Sequence, residues 1–222
     1  MGITINGPDW PSLRALRAEL AHAPEFGSYP YGALKHDSIE QLTLLRDAGV
    51  QVPEFTASLP EAGNWLIDEA IVFGRRLRHS QGRDIRIQTL NTSRIERSQW
   101  FSKFIPSTAE WRIHIFEGKS IARAKKYFSG EVTSNNPSGQ VPAIPIRSRR
   151  LGWLMSHKDD PPKGMRSIAK NSVAALGYRH GAVDILFTDA GKFVVLEVNL
   201  LPAMDNYTRA AYVAAIRKFV RG

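Results

Sequence analysis

Three oxygen-bearing side chains near the C-terminal end, Asp184, Glu197 and Asn199, are spaced so that they could hold a divalent cation. The stretch from Asp184 to Asn199 reads as one β-hairpin, two apolar runs around Asp189-Ala190-Gly191-Lys192. Taking Ala190-Gly191 as a two-residue turn, where glycine supplies the positive φ such turns need, Asp189 faces Lys192 and Asp184 faces Glu197. Side chains alternate along a strand, so Asp184, Glu197 and Asn199 share one face. Val183, Ile185, Phe187, Val194, Leu196 and Val198 take the other face, which must be core. Two carboxylates opposed across a sheet repel each other and weaken it, unless a cation lies between them. Carboxylate and amide oxygens are hard ligands that suit Mg²⁺ shared with substrate phosphates. The alternative is an acidic face that is simply solvated. A one-residue slip of register would remove Asp184 from the group.

The elements that must position this hairpin can be read along the chain. A short amphipathic helix over about Trp10–Ala21 precedes a Gly/Pro/Tyr-rich stretch at 24–32. Asp37 is a good N-cap and Glu40, three residues on, completes a capping box, while Gly49 stops the helix. Strands are expected at Ala70–Phe73, Ile85–Leu90, Trp100–Ile105, Trp111–Phe116 and Lys119–Phe128. Residues 129–150, with Pro137, Gly139, Pro142 and Pro145, read as a long mobile loop and a candidate lid. A helix over Met165–Ala175, strands at Ala182–Thr188 and Phe193–Asn199, and a helix from about Tyr207 complete an α+β pattern rich in antiparallel strands.

The chain has 222 residues, 43% hydrophobic and 23% charged, enough for one large domain or two small lobes around a cleft. It has no cysteine, which excludes disulfides, zinc fingers and cysteine nucleophiles. It shows neither a membrane-length apolar run nor a signal-peptide pattern, and a cytoplasmic location is the default expectation. The net charge of +9 calls for phosphates, nucleic acid or an acidic peptide as partner, or else serves solubility alone. Arginines crowd at 75–86 and 147–150, with Arg123, Lys125 and Lys126 on one strand. Arg112, alternating with Trp111 and Ile113, should point away from the apolar face into a cleft. Trp111 and Phe104 read as packing residues, and His114 and His180 as structural.

The segments Gly181-Ala182-Val183-Asp184-Ile185-Leu186 and Leu196-Glu197-Val198-Asn199-Leu200-Leu201-Pro202 resemble the terminal signature of ATP-grasp enzymes. The nearest branch is the ribosomal-protein glutamate ligase type, and the likeness runs from about Lys35 to Tyr212. Ala48-Gly49-Val50-Gln51-Val52-Pro53 is similar to the family's motif after its opening helix. Arg75 and Arg76 ahead of Ser80-Gln81-Gly82 look like the strand-end basic residue and the flexible loop over the ATP phosphates. Phe101–Ile105 followed by Glu110-Trp111-Arg112 is similar to the hinge strand and the acidic residue beyond it.

The resemblance implies an ATP-grasp fold, two α+β lobes with antiparallel sheets enclosing a nucleotide. Its segments would be a shortened N-terminal part (1–34), an N-terminal lobe (35–105) and a C-terminal lobe (106–222). It also implies a carboxylate–amine ligase that uses ATP and Mg²⁺ through an acylphosphate. Asp184, Glu197 and Asn199 would hold metal. Lys35, Arg75, Arg76, Ser80, Gly82, Lys103, Phe104, Ile105, Glu110 and Lys125, or its neighbour Lys126, would bind nucleotide, and Arg112 would act on the transferring phosphoryl group. Arginine stands where many members have lysine, and Asp84 where a loop glycine is common. The short N-terminal part points to a large or protein-borne acceptor, or to a partner subunit or homo-oligomer, and the basic surface suggests an acidic acceptor such as an acidic peptide. The rival readings are a basic protein that binds or modifies nucleic acid and a nucleotide-binding scaffold without catalysis.

Overall fold

The computed structural model describes residues 14–16, 18, 36–77, 85–91, 96–200 and 202–221. Helix α1 (Ser38–Asp47) starts as its capping box requires: Asp37 accepts from the backbone N–H groups of Ile39 and Glu40, and Glu40 accepts from the Asp37 N–H. Strand β1 (Phe55–Thr56) and helix α2 (Leu59–Ile67) follow. Neither is among the elements expected from the sequence, although Ser58 caps α2 by accepting from the Glu61 N–H, a signal present in the sequence. Strands β2 (Val72–Arg75), β3 (Arg86–Gln88) and β4 (Trp100–Lys103) join β1 in a four-stranded sheet of order β1-β4-β2-β3. One face of this sheet packs on α2 through Val72, Phe101, Ala62, Trp65 and Leu66.

The second sheet has longer strands. These are β5 (Ala109–Phe116), β6 (Lys119–Phe128), β7 (Trp153–Ser156), β8 (His180–Phe187) and β9 (Phe193–Asn199). Its order is β7-β6-β5-β8-β9, with every neighbouring pair antiparallel. Helix α3 (Met165–Ala175) covers one face, over Trp111, Ile113, Ile115, Val183, Ile185, Val195 and Val198. Helix α4 (Asn206–Arg221) packs on the other face toward its far end, where Tyr212 meets His114 and Phe116 edge-on. Helix α1, grouped in the sequence with residues 35–105, packs by its Leu45 into the core under α3. Gln41 accepts from the Val198 N–H, and the Gln51 carbonyl accepts from the Val195 N–H.

The β8–β9 hairpin pairs Asp184 with Glu197, as the sequence implies, but it reaches that register by another route. Near the turn, Phe187 pairs with Phe193 and Ile185 with Val195, one residue out of step with a two-residue turn. The turn closes with the Thr188 N–H donating to Lys192 O and Gly191 at φ 72°, so three residues, 189–191, form the loop. A bulge between the two registers, at Leu196, restores the pairing of Asp184 with Glu197. The core face of β9 therefore carries Phe193, Val195 and Val198, in place of Val194 and Leu196.

Residues 129–150, read from sequence as a mobile loop, are tied down. Ser129 and Gly152 share two bonds, Thr133 Oγ1 donates to Arg150 O at 2.7 Å, and Asn136 is buried with its Nδ2 donating to Gln140 O.

Candidate functional site

The polar cluster lies on the face of the five-stranded sheet away from α3. Residues 110, 112 and 114 of β5 pair with 186, 184 and 182 of β8, and Arg112 and His114 pair with Ala124 and Ala122 of β6. Glu110, Arg112, Lys126 and Asp184 thus meet where the flanking positions are small. Arg112 clamps Asp184 with two parallel bonds, Nε to Oδ1 at 2.7 Å and a terminal nitrogen to Oδ2 at 2.8 Å. Lys126 donates to the Glu110 carboxylate and to the Arg147 carbonyl, and stands 3.8 Å from Asp184. Arg147 lies 3.9 Å from Glu110 and donates to Ser107 Oγ and O at 2.8 and 2.6 Å. Asn199 donates from Nδ2 to Glu197 Oε1 at 2.6 Å.

Burial sets the protonation of these groups, and the neighbours decide its direction. Burial alone would push the Asp184 carboxyl up, but the Arg112 and Lys126 charges and the Arg112 bonds hold it down at about 2. For Glu110, burial prevails over the pull of Lys126, and the Asp184 charge adds to the rise. Burial would lower Arg112 and Lys126, but Asp184 and Glu110 respectively lead the charges that keep both firmly cationic. His114, beside Arg112, is pushed down to about 3 by burial and that charge, and His180 to about 4 by burial. Both histidines are neutral packing groups, as their isolation in the sequence suggests.

The expected site residues fall into three groups. Asp184, Glu197, Asn199, Arg112 and Glu110 come together on one sheet. Arg75 joins them from the other sheet: its Nε donates to Ser102 Oγ at 3.1 Å, and its guanidinium lies over Phe73 and Trp100. There it feels the carboxylates of Glu197 and Glu110, which oppose the lowering of its pKa by burial. Arg76 is exposed and one residue out of phase with Arg75, so the alternation selects Arg75 for the cleft.

Lys125 and Lys103 are corrected by strand parity. Lys125 pairs with Trp111 and so sits on the α3 side, with its ammonium 5.8 Å from the Trp111 ring and 3.3 Å from Asp159. Lys126, one residue on, is the lysine that this strand turns into the polar cluster. Lys103 lies on the α2 side of its sheet, bonded to Glu54 and set over Trp65. Phe104 and Ile105 lie in the connection between the sheets, where the Phe104 N–H is already given to Ile71 O. Lys35, Ser80 and Gly82 lie outside the described residues. Arg147, from the basic run at 147–150, also reaches the cluster, a placement that no local signal in the sequence marks.

A cavity of about 330 Å³ opens at the end of the four-stranded sheet, lined by Arg75, Arg76, Arg86, Arg97, Ser98 and Gln99. None of the carboxylates of the polar cluster lines it. It extends the positive charge of the β2–β3 root and is not the metal-ligand group. Gly74 packs closely beside it: an added Cβ would stand 2.3 Å from Ser98 Oγ and 2.9 Å from Gln88 Nε2, so both side chains would have to turn aside.

Among the described residues no three His, Cys, Asp or Glu side chains gather closely enough to hold a metal unaided. Two carboxylates and an amide are what Mg²⁺ takes from a protein when phosphate oxygens and water complete its shell. The all-oxygen donor set fits that ion.

The two-sheet architecture matches known structures. No protein-family model matches the sequence, and no curated protein matches it. Among solved structures, the ATP-grasp ligase PsnB with minimal precursor, Mg and ADP superposes at TM-score 0.62 and 18% identity, covering 94% of this chain and 66% of that one. The fold is the ATP-grasp fold. A D-alanine–D-alanine ligase from Bacillus anthracis matches at TM-score 0.58 and 15% identity, over 82% of this chain and 62% of that one. The Chryseobacterium gregarium RiPP-associated ATP-grasp ligase, with ADP and a leader and core peptide, matches at TM-score 0.57 and 13% identity, over 97% and 72%. The chain spans about two thirds of the length of these ATP-grasp structures. No helix among the described residues is long and apolar enough to cross a membrane.

Proposed function

We propose that this chain is an ATP- and Mg²⁺-dependent carboxylate–amine ligase of the ATP-grasp type, with the ribosomal-protein glutamate ligases as the nearest relatives in chemistry. The observation that carries the reading is the opposed pair Asp184 and Glu197, set among Arg112, Lys126 and Arg75 on facing sheets of this fold. Asp184, Glu197 and Asn199 would hold Mg²⁺, which supplies charge neutralisation at the β- and γ-phosphates. Arg75 and Lys126 would contact the phosphates, and the 104–108 connection with Glu110 would receive adenine and ribose.

A substrate carboxylate attacks the γ-phosphorus, ADP leaves, and an amine displaces phosphate from the resulting acylphosphate. No covalent protein nucleophile is needed. The chain's part is to position the reactants and supply fixed charge where the transferring group becomes more negative. Arg112 would turn from Asp184 toward that group. The net charge of +9 supports an acidic acceptor, and the PsnB and Chryseobacterium structures, solved with precursor or leader and core peptides, support a peptide-borne one.

Thermal unfolding with and without Mg²⁺–ATP, for wild type and Asp184→Asn, tests the reading. Ligand at about 100 times its dissociation constant adds roughly 2.7 kcal/mol, a rise of about 5–10 °C for a chain of this size. We expect that rise in the wild type and a reduced one in the variant. No rise in a folded wild type would overturn the proposal. A basic nucleic-acid-binding protein would instead show steep salt-dependent binding indifferent to Asp184.

A further inference from the structure

The segment 129–150 ends in a side chain that serves neither its own loop nor the surface. The Arg147 side chain is only 8% exposed, and its guanidinium leaves the loop to donate to Ser107 Oγ and Ser107 O. Ser107 lies in the 104–108 connection between the two sheets. One residue later, the Thr108 N–H and Oγ1 both donate to Phe187 O on β8. The same guanidinium stands 3.9 Å from Glu110 and 5.2 Å from the Trp153 ring, and the Arg147 carbonyl accepts from Lys126. One residue therefore holds the interlobe connection, the carboxylate at the start of β5 and the ammonium on β6.

We propose that Arg147 is a positioning residue that turns segment 129–150 into an anchored strap and fixes the nucleotide end of the cleft through Ser107, Glu110 and Lys126. Its two bonds to one serine use the planar fork, which lysine cannot reproduce. Glu110 has two cationic neighbours, Lys126 bonded to it and Arg147 at its other oxygen. With the Arg147 side chain gone, the carbonyl that Lys126 grips is no longer pinned to Ser107, and Glu110 loses the charge that fixes its aim. The strap's remaining bonds, such as Thr133 Oγ1 to Arg150 O, lie within the strap and near its base. They order it without touching the connection.

This inference rests on the nucleotide lying at the 104–108 connection, as proposed above. The test is titration of the full chain with Mg²⁺–AMP-PNP by calorimetry, for wild type, Arg147→Ala, Arg147→Lys and Thr133→Val, alongside limited proteolysis of each. We expect Arg147→Ala to weaken nucleotide binding at least tenfold and to open residues 129–150 to cleavage. Arg147→Lys, which keeps charge near Glu110 but loses the serine fork, should weaken binding about threefold. Thr133→Val, loosening the strap elsewhere, should change affinity less than twofold. Wild-type affinity in Arg147→Ala would overturn the inference and leave the ligase reading intact, as would a loss in Thr133→Val as large as in Arg147→Ala. Absence of nucleotide binding in the wild type would overturn both.

Discussion

The two sheets of this molecule are built to different standards. The first has strands of two to four residues, and the core under α2 gathers five buried side chains. The second has four strands of seven to ten residues beside the shorter β7, over a core of sixteen buried side chains that also takes in α1. Every candidate metal ligand, together with Arg112, Glu110 and Lys126, stands on the second sheet; the first contributes Arg75. Charges that must be held at bonding distance are placed on long, mutually paired strands, where alternation and packing fix each direction. The lobe that, on the proposed function, would admit and release nucleotide is assembled from short strands and long connections, whose local opening costs less.

The comparison can be broken hardest at Asp184. Asp184→Asn removes the charge that Arg112 grips. We expect turnover to fall roughly a hundred- to thousandfold, the scale of losing one fixed electrostatic contact. Chemical denaturation should show a loss of about 3 kcal/mol from the buried guanidinium left unpaired. The next largest effects test the two cores. Ile113→Ala, in the second sheet at 0% exposure, should cost about 2–5 kcal/mol of global stability. Phe101→Ala, at 1% exposure in the first, should act mainly by local opening. Hydrogen exchange would then speed up in β2 and β4 while β5 and β8 stay protected. Equal acceleration in both sheets would show that the lobes open as one.

Acid should sharpen the contrast further. His114 and His180 are neutral in the fold, at about 3 and about 4, whereas unfolded histidine titrates near about 6.5. Below that value the unfolded chain binds protons that the fold refuses. Stability is therefore complete above about pH 6.5 and is lost as pH falls toward the folded values. Both residues lie in the second sheet, so urea midpoints should decline from pH 7 to 4.5, and His114→Asn should flatten the slope. The smallest effect is at the α1 cap: Asp37→Ala should cost about 1 kcal/mol by calorimetric melting, since it strips two backbone N–H groups of their acceptor.

What the sequence discloses follows the same division. The α1 cap, α3, β6 and β9 are legible because caps, glycine stops and uninterrupted apolar periods are local signals. The opposition of Asp184 to Glu197 is legible as well, though a two-residue turn reaches it only because an unseen bulge at Leu196 offsets the unseen third loop residue. Lys126 could not be told from Lys125 because the choice depends on pairing between β5 and β6, whose register shifts after His114. Arg147 was hidden for a similar reason: its partner Ser107 is 40 positions away, and nothing local ties a loop arginine to a connection between sheets. Helix α2 contains Pro60 and Gly63, which argue locally against a helix, although its Ser58 cap and the buried Ala62, Trp65 and Leu66 mark one.

The clamp of Arg112 on Asp184 has one more consequence. Together with Lys126 at 3.8 Å, it means that Asp184, the buried carboxylate of the candidate metal group, is already balanced by the chain's own cations. On the proposed function, the fold should therefore stand without its ion, and a chelator should abolish turnover while leaving the melting point of the ligand-free chain where it was.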